Sequence, residues 1–117
     1  MSTTLCIVLR YKYRLWQSTN SPYSHLCFRV RFIIPEQYPE EPPKLMFLDK
    51  IYHLNIDPVT GDVHMGLLAE DWSPYLTLTA VIDSIDSIME EPDLEYAATA
   101  ALQDEYIYEP DNYLKKI

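Results

Sequence analysis

Few side chains in this sequence can do covalent chemistry, and they are scattered. Cys6 and Cys27 lie far apart with no CxxC spacing, so neither a disulfide framework nor a zinc knuckle is expected. Both fall in segments that read as strands, whereas a reactive thiol needs an exposed setting that favours the thiolate. A zinc site built from His25, His53 and His64 with these cysteines fails on spacing, because each ligand sits in its own segment and no pair is at i, i+3 or i, i+4. No metal and no cofactor is expected. His53 and His64 do share one stretch, Ile51 to Pro74, which has neither a helical nor a strand period and carries the turn string DPVTGD. Long ordered loops often carry function, so chemistry is sought here first.

Regular elements must hold that loop. From Leu5 to Trp16 the residues alternate, with Leu9, Tyr11, Tyr13 and Leu15 on one face and Arg10, Lys12 and Arg14 on the other. A second alternation places Leu26, Phe28, Val30, Phe32 and Ile34 inward and Arg29 and Arg31 outward. The two strands should pair as a meander whose outer face is basic, a pattern that ordinary solvation also explains. Pro35, Pro39, Pro42 and Pro43 break the ladder because proline lacks the donor a central strand needs, and a third strand follows from Lys44 to Leu48. The period becomes helical at Thr77, a residue suited to an N-cap, and Leu78, Val81, Ile82, Ile85, Ile88 and Met89 form one apolar stripe up to Pro92. A further helix is expected from about Ala97 to Tyr108, stopped by Pro110. Asp111 could cap a last short turn that ends in Lys115 and Lys116.

The sequence has 117 residues, which suits a single domain, 1–117, and 48% of them are apolar, enough to build a core. The net charge is −9, and no Lys or Arg occurs from Ile51 through Leu114. An acidic half of this kind repels phosphate, so nucleic acid is not an expected partner. Apolar runs are short and Arg10 comes too early for a full secretory apolar region, so a membrane association is not expected and the protein is read as intracellular, cytoplasmic or nuclear.

Strands, a proline-rich loop, an irregular segment and then helices define an α+β domain. Ser21-Pro22-Tyr23, Pro35, Tyr38-Pro39, Pro42-Pro43, Ile51-Tyr52-His53-Leu54-Asn55-Ile56-Asp57, Asp71-Trp72-Ser73-Pro74 and Glu91-Pro92 stand in the order and spacing of landmarks in one family. On these motifs the chain resembles the ubiquitin-conjugating enzymes. The resemblance implies an antiparallel meander packed on a central helix, with helices at the C-terminal end. The family's opening helix, which helps recruit the activating enzyme and the ligase, is expected to be missing, since four residues precede the first predicted strand.

The resemblance also places the family's catalytic cysteine at His64, in Gly61-Asp62-Val63-His64-Met65-Gly66. A thioester survives water while staying reactive toward amines, whereas an acyl-imidazole hydrolyses quickly and would waste an activated carboxyl group. Asn55 matches the asparagine that either stabilises an oxyanion or braces the loop, and only the bracing role survives without a thioester. His53 matches a structural histidine. Leu54 replaces a proline, which should loosen the loop. Tyr96, beside Glu95, falls at the acidic gate position. Phe47 in one loop and Ser73-Pro74 in another match ligase-contact positions, and Tyr75 stands where a small residue is usual.

The implied function is a catalytically inactive variant, a non-covalent binding or regulatory module whose partners are ubiquitin or a ubiquitin-like protein and an active conjugating enzyme or a ligase. Two alternatives stay open: a transferase that uses Cys6 or Cys27, and a truncated copy without function. The YHxNID and EDW strings look closest to the branch that handles a ubiquitin-like modifier.

Overall fold

The structure, a computed structural model, describes residues 3–10, 23 and 27–117. Three strands form an antiparallel meander in the order β1-β2-β3, namely β1 Thr3–Arg10, β2 Cys27–Ile34 and β3 Lys44–Phe47. The alternation of β2 sends Phe28, Val30 and Phe32 into the core, as period two requires, and Leu45 and Phe47 join them from β3. Pro35 ends β2 one residue after Ile34, and Pro43 precedes β3.

The first strand begins at Thr3, two residues before the expected start, because the ladder with β2 runs back to a Thr3 to Ile34 pair. The expected continuation to Trp16 lies outside the described residues, as does Leu26. Arg29 and Arg31 pair with Val8 and Cys6 across the ladder, and Arg29 makes an ion pair with Asp49 at 2.8 Å, while Lys12 and Arg14 of the expected basic face lie outside the described residues. The third strand stops at Phe47, although the Leu48 amide still donates to the Arg29 carbonyl at 2.9 Å.

Helix α1, Leu78–Glu90, covers the inner face of the sheet. Thr77 caps it, its hydroxyl accepting from the Ala80 amide at 3.1 Å, and Pro92 prevents its continuation. Val81, Ile85, Ile88 and Met89 are buried, and Leu78 and Ile82 pack at the margin, so the predicted stripe is the buried face. Each such side chain contributes about 1.5–3 kcal/mol when fully buried.

Helix α2, Ala100–Tyr108, starts three residues later than the expected Ala97. The Thr99 hydroxyl accepts from the Leu102 amide at 3.1 Å and fixes the start, while a separate 3-10 turn, Leu94–Tyr96, fills the space before it. Helix α3, Pro110–Lys115, has Glu109 at its N-cap and proline in its first turn, so Asp111 is inside the helix and is not its cap.

Candidate functional site

The irregular stretch from Ile51 to Pro74 is tied to the scaffold at both ends of its turns. Asp62 bridges Met46, Val63 donates to the Leu45 carbonyl at 3.0 Å, and Ile56 bridges both His53 and Val63. A short added ribbon therefore runs beside β3. The turn at Gly61 needs φ of 81°, and a Cβ there would meet the Phe47 carbonyl oxygen at 2.2 Å, so only glycine fits.

His53 is fully buried. Its Nδ1 accepts from the Asn55 amide at 2.9 Å, which leaves Nε2 as the protonated nitrogen that donates to the Ile88 carbonyl at 2.8 Å. Burial lowers its pKa to about 4, although the bond to Ile88 opposes the change. The ring is a neutral strut between the loop and α1. Because the folded state resists protonation, stability is complete above the ordinary value of about 6.5 and falls as pH drops from there toward 4. At pH 5 the loss should be about 2 kcal/mol. Asp49, Asp57 and Glu105, whose carboxyls are held down by hydrogen bonds, begin to contribute losses only at lower pH. Denaturant melts at pH 7.5 and pH 5 should therefore separate, and His53→Gln should shrink that separation; equal pH sensitivity in the two proteins would contradict the assignment.

Leu54 is held more tightly than the loss of a proline predicts. Its amide donates to the Tyr113 hydroxyl at 2.9 Å, its carbonyl accepts from the Ala98 amide at 2.8 Å, and its side chain is buried against Leu102 and Tyr113. The extra N–H that leucine brings is thus satisfied by α3, and the expectation of a looser loop is corrected on that ground. Each such bond contributes about 1 kcal/mol net.

Asn55 is the hub. Its side-chain amide donates to the carbonyls of Asp93 at 2.7 Å and Tyr96 at 2.9 Å, and its oxygen accepts from the Asp93 amide at 2.9 Å. Both N–H donors are spent on the segment after α1. No donor is left to meet a developing oxyanion in this arrangement. The Asn55 carbonyl accepts from the His64 amide at 2.7 Å, which places His64 next to the brace with an exposed side chain.

Tyr96 lies against this ribbon. A Cβ on Gly66 would approach its ring at 3.4 Å and the exposed Asp71 carboxyl at 2.6 Å, so a larger residue there would have to displace the Asp71 side chain. The chain's two glycines, Gly61 and Gly66, both fall in this short stretch. Burial, followed by Glu70 and Asp71, raises the Tyr96 pKa and keeps its phenol protonated.

The structure brings His53, Leu54, Asn55, His64 and Tyr96 into one region and leaves the remaining candidates elsewhere. Phe47, expected at a ligase-contact surface, is buried against Phe28 with ring centroids 5.5 Å apart, so it lies in the core. Ser73 and Pro74 do lie in a surface turn, closed by the Leu76 amide on the Ser73 carbonyl at 3.0 Å, and Tyr75 next to them is 94% exposed. Trp72 anchors that turn to the proline loop by donating to the Pro39 carbonyl at 2.9 Å, which sets exposed Glu40 and Glu41 in the neighbouring loop. His25 lies outside the described residues, and among the described residues no group of His, Cys, Asp and Glu could hold a metal ion.

The register fixes the backbone positions of the two cysteines. Cys6 pairs with Arg31, Arg31 with Met46, and Met46 with Asp62, so Cys6 is three strand spacings, roughly 14 Å, from the ribbon that carries His64. Cys27 is two spacings across and further along β2, on the order of 16 Å away.

A three-stranded meander with one helix across its inner face, and a braced histidine-asparagine loop beside it, defines an α+β domain of the ubiquitin-conjugating type. The family model for ubiquitin-conjugating enzyme matches residues 7–117, and the chain belongs to that family. It is 37% identical over 100 residues to Ubiquitin-conjugating enzyme E2 T of Homo sapiens, covering 82% of this chain and 50% of that protein. Ubiquitin-conjugating enzyme E2 27 of Arabidopsis thaliana is 32% identical over 87 residues, covering 74% of this chain and 45% of that protein. The chain spans about half the length of the curated relatives it matches. Among solved structures, the E2 domain of a Toxoplasma gondii ubiquitin conjugating enzyme superposes with a TM-score of 0.75 at 30% identity, covering 84% of this chain and 68% of that one. The α+β expectation is borne out by this likeness.

Proposed function

We propose that this chain is a catalytically inactive ubiquitin-conjugating enzyme variant that works by non-covalent binding in the conjugation of ubiquitin or a ubiquitin-like protein. The observation that carries the reading is the pairing of an exposed imidazole at residue 64 with an Asn55 amide whose donors are both spent. Such a site has no thiol to hold an activated carboxyl group, and the Asn55 amide has no donor free for the charge that develops when an amine attacks it. The backbone distances of Cys6 and Cys27 from this region speak against either as a substitute nucleophile.

What remains is surface. The turn at Ser73 and Pro74, with exposed Tyr75, is the part we assign to a ligase or an active conjugating enzyme, tyrosine being a common anchor at interfaces. The expected location is cytoplasmic or nuclear. No helix among the described residues is long and apolar enough to cross a membrane.

Chemical-shift mapping tests the proposal. The isotopically labelled chain, titrated separately with ubiquitin, a ubiquitin-like modifier, an active conjugating enzyme and a ligase domain, should show a localised set of shifted amides with at least one of them, without a covalent adduct. No shifts with any of the four at millimolar concentration would overturn it.

A further inference from the structure

Two hydrophobic clusters divide the interior unequally. The larger lies between the sheet and α1; the smaller consists of Leu54, Leu102 and Tyr113, with Tyr52, Ala97, Ala98 and Tyr106 packed around it. Leu102 belongs to α2 and Tyr113 to α3, so the two C-terminal helices meet the site loop through a small core of their own. A segment held by a separate small core can open as a unit at a lower free energy than the whole domain.

Tyr113 brings the polar contact into that core. Its ring stands edge-on to Tyr106, with centroids 4.9 Å apart, and tilted against Tyr52 at 5.5 Å, while its hydroxyl accepts from the Leu54 amide at 2.9 Å. The Tyr23 hydroxyl donates to the Tyr52 carbonyl, which can only accept, so in the long 3.4 Å contact between the two phenol oxygens the Tyr113 proton points to Tyr23. The polar chain thus runs from the Leu54 amide to the Tyr52 carbonyl, the two backbone groups on either side of His53. A second fastening is ionic: Glu105 of α2 accepts from the Tyr52 hydroxyl and pairs with the Lys116 ammonium, beyond the end of α3, at 2.6 Å.

From Leu54 the bonds continue into the site. The Leu54 carbonyl accepts from the Ala98 amide, the Asn55 side chain ties Asp93 and Tyr96, and the Asn55 carbonyl accepts from the His64 amide. Two adjacent residues therefore hold both the segment after α1 and the backbone of residue 64. We propose that α3 is a strap on this site: the Tyr113 hydroxyl, through the Leu54 amide, sets the conformation of the region from Leu54 to Ala98, so that docking of α3 and closure of the Asn55 brace are one cooperative event. Tyr113 is then a positioning residue for Asn55 and His64, acting through Leu54. The coupling travels through a hydrogen bond and a packed cluster, the kind of contiguous contact that can carry it. It concerns how the site is held and stands whether or not residue 64 takes part in chemistry.

Hydrogen–deuterium exchange of the full chain, read amide by amide by NMR, tests the strap with Tyr113→Phe, which keeps the ring and removes the oxygen. The expected result is exchange about tenfold faster at Leu54 and, together with it, at His64, Asp93 and Ala98, while Ile85 and Met89 of α1 change less than about twofold. Acceleration at Leu54 alone would reveal an isolated hydrogen bond and overturn the proposal. Equal acceleration in α1 would reveal a general loss of stability and overturn it too, as would unchanged rates throughout. Leu54→Pro supplies the second arm, because proline has no amide for Tyr113 to receive. Adding Tyr113→Phe to that variant should change the His64, Asp93 and Ala98 rates less than about twofold, since the interaction the hydroxyl serves is already gone; a tenfold change there would overturn the route through Leu54. If the proline variant does not fold, the pattern in the single Tyr113→Phe variant decides by itself.

Discussion

Replacing Asn55 with alanine should cost about 3–4 kcal/mol of unfolding free energy, because three hydrogen bonds are lost and three backbone groups are left behind, each worth roughly 1–3 kcal/mol if unsatisfied. Those groups are the Asp93 carbonyl and amide and the Tyr96 carbonyl. Asp93 is only half-buried, so water recovers part of the loss. Even so, the remainder is a large share of the roughly 5–15 kcal/mol that holds a domain of this kind together. Asn55→Asp should be at least as harmful, since a carboxylate would face two carbonyl oxygens with no proton to offer. Urea unfolding followed by far-UV circular dichroism gives the midpoint directly, and a loss under about 1 kcal/mol would mean that the brace is not structural. The same variant bears on function: a donor already committed to the fold is expected to show its effect in stability first.

How much of this was legible beforehand follows from which forces set each feature. Helix α1 could be read because its stripe and its Thr77 cap are local properties of the chain, and the cap forms as expected. Strand β2 could be read because period two decides which side chains are buried. The start of α2 could not, since Ala97 and Ala98 favour a helix in isolation but Asn55 and Leu54, from a distant loop, claim the backbone there. Phe47 was misplaced for a related reason. Its neighbours in sequence place it at a strand end, and only the packing of Phe28 against it makes it core. The bond from the Leu54 amide to the Tyr113 hydroxyl is a long-range contact that no local pattern encodes. Proximity of His64 to Asn55 was implied by the family likeness, whereas the commitment of both Asn55 donors needed coordinates.

On the proposed reading, in which the exposed His64 imidazole stands where the family carries its thiolate, the consequence is all-or-none. Transfer of ubiquitin through the family's route requires a bond between a nucleophilic atom and the carboxyl carbon, and sulfur provides one that lasts long enough to be used. If His64 did accept the acyl group, water would cleave it, and ATP would be consumed faster than by the activating enzyme alone with no adduct accumulating. If Cys6 or Cys27 accepted it, a reducible adduct would appear. The account predicts neither. The direct measurement is a charging reaction of the purified chain with activating enzyme, ATP and ubiquitin, resolved on a non-reducing gel beside an active conjugating enzyme. The chain should stay at its unmodified mass while the active enzyme shifts; a ubiquitin adduct on this chain that disappears with reductant would contradict the account.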